Sequence, residues 1–135
     1  MAARTFTPSE ANNALVQVRP LAEQAVELRA RLGELEAEQR EVVRIVAGNG
    51  HGGAVGEARS PEFNRLVEEL EECLSQLDDL GVQVKDVETG LLDFPALRQG
   101  VDVLLCWRVG EPAVEWWHGL EDGFAGRKPI DWGGE

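Results

Sequence analysis

The hydrophobic period of the chain changes at Gly81, and this change limits the fold more than any other feature of the sequence. Before Gly81, apolar residues recur at three- and four-residue steps, which is typical of amphipathic helices. After it, short segments alternate apolar and polar residues between turns, which is typical of antiparallel strands. The sequence therefore predicts an α+β fold in which a long antiparallel helical hairpin lies on a small sheet.

The first helix is predicted over residues 8–46, where the apolar residues form a heptad seam. Thr7, Pro8 and Glu10 supply a capping box and a proline at the first helical position. Pro20 lies inside the run, where it removes a backbone hydrogen bond and crowds the preceding turn. We therefore expect the helix to kink at Pro20 or to restart near residues 18–20.

The second helix is predicted over residues 61–80, between the start signal of Ser60 and Pro61 and the stop at Gly81. The glycine-rich residues 47–59 predict a mobile connection between the helices. Because the first helix is the longer one, part of it must pack on the sheet or on a second copy of the chain. The acidic surface of the second helix is either a solvated face or a docking surface for a basic partner.

Residues 82–118 are predicted to form an antiparallel β-meander. Residues 119–135 are rich in glycine and proline, and we expect a tail that wraps the sheet edge with Trp132 as its anchor. A chain of 135 residues is long enough for one hydrophobic core, so residues 1–135 are predicted to be a single domain.

Charge and composition argue against several classes of partner. Twenty-five acidic and thirteen basic residues give a formal net charge of −12, which repels nucleic acid and anionic membrane surfaces. We find no segment that resembles a membrane span or an export signal, so we expect a cytoplasmic protein. In that compartment Cys73 and Cys106 are expected to be reduced, buried thiols.

Most of the side chains that could carry chemistry lie in or near the segment from Leu104 to Phe124. The candidate polar cluster consists of Asp93, Cys106, Arg108, Glu111, Glu115, His118, Asp122 and Arg127. A lone buried charge is costly, so in this apolar segment the charged residues are expected to pair with one another.

The register of the hairpin within residues 101–118 decides which of these side chains meet. A two-residue turn would place Cys106 opposite Glu115, with His118 on the other face. A three-residue turn would place Cys106 opposite Trp116 and bring the thiol and the imidazole of His118 to one face. Even then they stand two positions apart, too far for an imidazole to activate a thiol, so no catalytic residue is predicted.

A divalent metal site is the alternative interpretation of the cluster. Its predicted ligands are His118, Glu115, Asp93 and Asp86. Glu115 and His118 have the E-x-x-H spacing of helical metal sites, but in a strand positions three apart point to opposite faces. Carboxylates with an imidazole would suit a hard or borderline ion, and no other cofactor is predicted.

Two stretches of the chain carry a family resemblance. They are "FTPSEANNALVQVRPL" in the first helix and "GLLDFPALRQGVDVLLCWRVGEPAVEWWHGLEDGFAGRKPI" in the sheet region. In these motifs the sequence resembles a bacterial family catalogued as domain of unknown function 2203, over nearly the whole chain. The resemblance implies a small, single-domain bacterial protein, and it implies no activity and no catalytic residue.

The sequence predicts a non-enzymatic interaction module that forms a homodimer through the uncovered part of its first helix. The identity of any further protein partner stays open. The alternative function is that of a metal-binding protein, or of a small metal-dependent enzyme, that uses His118 with neighbouring carboxylates.

Overall fold

A computed structural model describes residues 4–48 and 60–132, with the side chains of residues 42–48 excepted. It contains two helices followed by a five-stranded antiparallel sheet, so the fold is α+β. The elements are α1 (Pro8–Gly48), α2 (Pro61–Asp79), β1 (Gln83–Asp86), β2 (Leu91–Arg98), β3 (Val101–Arg108), β4 (Trp116–Gly119) and β5 (Lys128–Pro129), with a 3₁₀ turn (Phe124–Gly126) before β5. Within these ranges, no helix is long and apolar enough to cross a membrane.

Both helices begin where their capping signals predicted. The backbone N–H of Thr7 donates to the Glu10 carboxylate at 2.9 Å, and the N–H of Glu10 donates to the Thr7 hydroxyl at 3.1 Å. The hydroxyl of Ser60 accepts from the N–H of Phe63 in the same way at 3.0 Å. These bonds satisfy backbone donors that a helix start otherwise leaves free.

Helix α1 continues as α-helix through Pro20 to Gly48, so it does not restart at the proline. The kink expected at Pro20 stays a prediction. The glycine-rich connection that was predicted over residues 47–59 lies almost entirely outside the described residues.

Helix α1 packs against two different parts of the fold along its length. Its first part buries Ala11, Leu15 and Val18 in the main core against the sheet. Its middle part buries a second row of apolar residues against α2, in a smaller cluster made of Ala25, Leu28, Leu32, Leu66 and Cys73. Apolar burial on both surfaces explains why an amphipathic stripe runs along so long a helix.

Both ends of α2 have a contact or a core position that relates them to α1. Arg31 in the middle of α1 forms an ion pair of 3.0 Å with Glu62 at the start of α2. Leu77 near the end of α2 lies instead in the main core with Val18, which is closer to the start of α1.

The sheet is a meander in which each strand pairs with its neighbour in the sequence. Its fifth strand, Lys128–Pro129, pairs with Trp116 and Trp117. It lies in the segment that the sequence predicted as a tail, because two residues with a proline give no strand pattern. In the same segment the indole of Trp132 packs edge to face on Trp117, with ring centroids 5.7 Å apart.

Alternation along the strands divides their side chains between two faces. The helix-facing face carries the apolar side chains of the main core: Leu92, Phe94, Ala96, Val103, Leu105, Trp107 and Trp117. The opposite face, which we call the outer face, carries Asp93, Leu104, Cys106 and His118, and all four are buried as well. A buried carboxylate and a buried imidazole on one face are unusual enough to mark a candidate site.

Candidate metal centre

Strand pairing brings Asp93, Cys106 and His118 together on the outer face. Asp93 is the direct cross-strand partner of Cys106, and Leu104, two positions before Cys106 in the chain, is the partner of His118. This is the second of the two registers that the sequence allowed, with Cys106 opposite Trp116. The connection is longer than the three-residue turn considered there, since β3 ends at Arg108 and β4 begins at Trp116.

This register is fixed by contacts from α1 to the long β3–β4 connection. The side-chain amide of Asn12 accepts from the N–H of Val114 at 2.8 Å and donates to its carbonyl at 3.1 Å. The guanidinium of Arg19 donates to the carbonyls of Glu111 and Pro112 at 3.1 and 2.9 Å. Trp107 of β3 adds a fifth bond to this connection, from its indole N–H to the Glu111 carbonyl at 3.0 Å.

The three side chains of the candidate centre are closed off from solvent. Asp93 is 2%, Cys106 0% and His118 3% exposed. One carboxylate oxygen, the thiol sulfur and one ring nitrogen all lie within 4.8 Å of one another. The closest pair is His118 Nε2 and Asp93 Oδ1 at 3.1 Å.

The hydrogen bonds of His118 fix the orientation of its ring. Nδ1 lies 2.7 Å from the carbonyl oxygen of Gly119, which can only accept, so Nδ1 carries a proton. Nε2 then faces the Asp93 carboxylate, and a proton held between these two atoms completes the contact. The ring is thus anchored on one side by the backbone and presents its other nitrogen to Asp93 and Cys106.

Cys106 is a protonated thiol in this environment. Burial raises its pKa to about 11, and the negative charge of Asp93 acts in the same direction, against a smaller opposing effect of Arg127. A nucleophilic cysteine needs a depressed pKa and an imidazole at the sulfur, and His118 is engaged with Asp93 and Gly119 instead. Cys106 and His118 are thus not arranged as a Cys–His nucleophile, and the absence of a catalytic residue stays a prediction.

Glu111 and Arg127 form the ion pair beside this centre. Both terminal nitrogens of Arg127 bond the Glu111 carboxylate, at 2.7 and 2.6 Å, and one of them also donates to the carbonyl of Cys106 at 3.3 Å. The N–H of Arg108 donates to the same carboxylate at 2.7 Å. Burial opposes ionisation of Glu111, but these hydrogen bonds outweigh it and lower its pKa.

Several residues of the predicted cluster lie elsewhere. Glu115 is exposed, and Asp86 bonds the N–H of Glu88 and the hydroxyl of Thr89 in the β1–β2 turn. The carboxylate of Asp122 accepts from the N–H of Gly119 at 3.1 Å. Of the four ligands predicted from the sequence, Asp93 and His118 lie together, and Glu115 and Asp86 do not. Cys106, which was not among the predicted ligands, is the third member of the group.

The guanidinium of Arg108, the remaining cluster residue, is exposed and lies over the ring of Phe124 at 5.2 Å. The three-residue register considered in the sequence put Cys106 and His118 on one face, and that signal could have identified Cys106 as a ligand. The roles of Asn12 and Arg19 had no local signal in the sequence.

Comparison with known proteins places the chain in a family. The family described as "Uncharacterized conserved protein (DUF2203)" matches residues 4–130. The chain belongs to this family. No curated protein and no solved structure is detectably similar to it. The DUF2203 description carries no activity, so a function has to be inferred from the geometry of Asp93, Cys106 and His118.

Proposed function

We propose that this DUF2203 protein binds one divalent transition metal ion, preferably zinc, through Asp93, Cys106 and His118. The observation that carries the proposal is the approach of one oxygen, one sulfur and one nitrogen donor to within 4.8 Å of one another. Thiolate, imidazole and carboxylate are the ordinary ligands of zinc in proteins. A mixed set with a thiolate favours zinc over magnesium or calcium, which prefer oxygen ligands alone.

The second contact of His118 supports the same conclusion. Metal-binding histidines usually donate their other ring N–H to a carboxylate or a backbone carbonyl, which fixes the ring and its tautomer. His118 makes this contact with Gly119 at 2.7 Å. The nitrogen that remains, Nε2, is the one directed at Asp93.

The charges of the centre also suit a divalent ion. A divalent ion held by a Cys106 thiolate, an Asp93 carboxylate and a neutral His118 imidazole has its two positive charges matched by two negative ones. Charge balance matters here because an unpaired charge at a site this buried is strongly destabilising.

The test is a titration of the chelator-treated protein with Zn²⁺ and with Co²⁺, whose thiolate charge-transfer and tetrahedral visible bands report the ligands. We expect one ion per chain, and loss of binding in the variants Cys106→Ser and His118→Gln. Glu115→Gln and Asp86→Asn are matched controls that should bind normally, since these side chains lie outside the centre. Absence of saturable binding, or binding that survives both site substitutions, would contradict the proposal.

We also propose that the protein is a non-enzymatic, cytoplasmic interaction module. All three donors are buried, which leaves a substrate no direct route to the ion and supports binding rather than catalysis. Cytoplasmic location is supported by Cys73 and Cys106, which are buried and form no disulfide with each other. A protein partner beyond a second copy of the chain is not identified by any feature of the described residues.

Homodimer formation is part of this proposal. Helix α1 has 41 residues and α2 has 19, so at about 1.5 Å per residue α1 is longer by roughly 30 Å. Because α2 begins beside Arg31, α1 continues well beyond the start of α2. This uncovered part of α1 is the surface that packs on a second copy of the chain. Light scattering should give twice the 14.8 kDa of one chain, and a single species of 14.8 kDa would contradict the dimer.

A further inference from the structure

The segment from Leu120 to Pro129, which we call the cap, reaches the metal centre through Arg127. The Arg127 guanidinium donates to the carbonyl of Cys106 at 3.3 Å. The cap therefore has one of its side chains bonded to the backbone of the residue that supplies the sulfur ligand of the proposed site.

Arg127 is held in this position from several sides. Its bidentate bonds to Glu111 measure 2.7 and 2.6 Å, and the side chains of the pair are only 11% and 17% exposed. The guanidinium also lies over the rings of Phe124 and Trp116, 4.5 and 5.3 Å from their centroids. A charge-assisted, bidentate and largely buried pair is among the stronger polar contacts in proteins.

The rest of the cap is held by contacts of exposed residues: the bond from the Gly119 N–H to the Asp122 carboxylate, the pairing of β5 with β4, and Lys128 over the ring of Trp117. Every residue from Leu120 to Pro129 is exposed except Gly126 and Arg127, so Arg127 supplies the only partly buried side chain. Strand β5 contributes two residues, and its neighbour, the 3₁₀ turn, buries none. Segments with few buried contacts open locally at a free energy well below that of global unfolding.

We propose that the Glu111–Arg127 ion pair is a latch that keeps the cap closed over Cys106 and so controls how fast the metal centre exchanges its ion. This inference rests on the proposed metal function and adds a regulation to it. The latch sets the rate of opening and leaves the three ligands unchanged. Weakening it should therefore speed both the entry and the departure of the ion, with a much smaller effect on affinity.

The variant Glu111→Gln tests the latch, because it keeps the size of the side chain and its acceptor for Arg108 but removes the charge that pairs with Arg127. In the metal-free protein, we expect a small thiol reagent to modify Cys106 about tenfold faster, as for an opening that is easier by ~1.4 kcal/mol. Cys73 lies in the cluster between the helices and is an internal control whose rate should not change. Glu121→Gln is the matched control variant, since it removes an exposed cap carboxylate that does not contact Arg127.

The metal-loaded protein gives a second measurement, the rate at which zinc passes to an excess of chelator. Faster transfer in Glu111→Gln, with wild-type rates in Glu121→Gln, supports the latch. Equal acceleration at Cys73 and Cys106 would mean general destabilisation, and unchanged rates at Cys106 would mean no latch, so either result overturns the inference. If the wild type binds no metal but Cys106 alone reacts faster in Glu111→Gln, the metal function fails and the latch survives as a gate over the thiol.

Discussion

His118 and Asp93 are 25 positions apart in the chain, yet Nε2 and Oδ1 of these residues form a buried contact of 3.1 Å. Both side chains are at most 4% exposed, so the contact between them replaces hydrogen bonds that each makes to water in the unfolded chain. Such a pair brings little net stability when it is complete, but removal of one partner leaves the other unpaired in the interior. Substitution of either residue should therefore destabilise the protein even when no metal is bound.

Asp93→Asn should destabilise the metal-free protein by about 3 kcal/mol, because it removes the carboxylate that pairs with His118. The free energy of unfolding from urea denaturation measures this loss. Combining it with His118→Gln should cost much less than the sum of the two single changes, since the same contact is lost in both. Additive losses would show that the two side chains stabilise the protein independently.

Asn12→Ala should destabilise the protein by about 1–3 kcal/mol, because it leaves both backbone groups of buried Val114 without their partner. Asn13→Ala is the matched control, since Asn13 is the adjacent asparagine and its side chain is exposed. Urea denaturation of the two variants should separate them clearly. A similar loss in both would mean that helix propensity, and not the bond to Val114, is responsible.

The helix starts and the meander could be predicted from the sequence because their signals are local. Thr7 and Glu10 lie three residues apart, and their capping bonds form within one turn of helix. The two candidate registers followed from strand alternation and two possible turn lengths, but the choice between them did not. It depends on Asn12 and Arg19, whose bonds to the β3–β4 connection span about ninety to one hundred positions.

The candidate metal centre could likewise be predicted only in part, because its residues meet across strands and not along one strand. His118 and Asp93 were recognised by residue type, whereas Glu115 was included because of its spacing from His118 along the chain. Spacing along one strand says little about contacts across strands, which are set by register. Cys106 belongs to the centre because it is the cross-strand partner of Asp93.

Gly90→Ala should destabilise the protein by more than about 2 kcal/mol, because the turn between β1 and β2 has room only for glycine. Gly90 has a φ of +74°, and a Cβ there would overlap the side chain of Val109 and come within 2.9 Å of a methyl carbon of Val26. Gly100→Ala is the matched control, since Gly100 has a φ of +81° but open space around its Cα. Thermal unfolding of the two variants separates backbone strain, which both share, from the overlap with Val109 and Val26. Equal losses would show that strain alone accounts for the effect.

The stability that the Glu111–Arg127 pair contributes should disappear in acid. Burial opposes ionisation of Glu111, but its bonds from Arg127 and Arg108 outweigh burial and hold its pKa below the ordinary value of 4.5. As the pH falls below about 4.5, the unfolded chain binds a proton at this position before the folded chain does. The free energy of unfolding therefore falls with pH in this range, and the contribution is complete only above it.

Glu111→Gln lacks this titrating group, so it isolates the effect from that of all other carboxylates in the chain. At neutral pH the variant should be less stable than the wild type, and the difference should shrink as the pH approaches about 3. Unfolding free energies of both proteins across this range provide the measurement, in the absence of metal so that ligand binding does not contribute. Stability curves that stay parallel down to about pH 3 would show that ionised Glu111 does not stabilise the cap through Arg127.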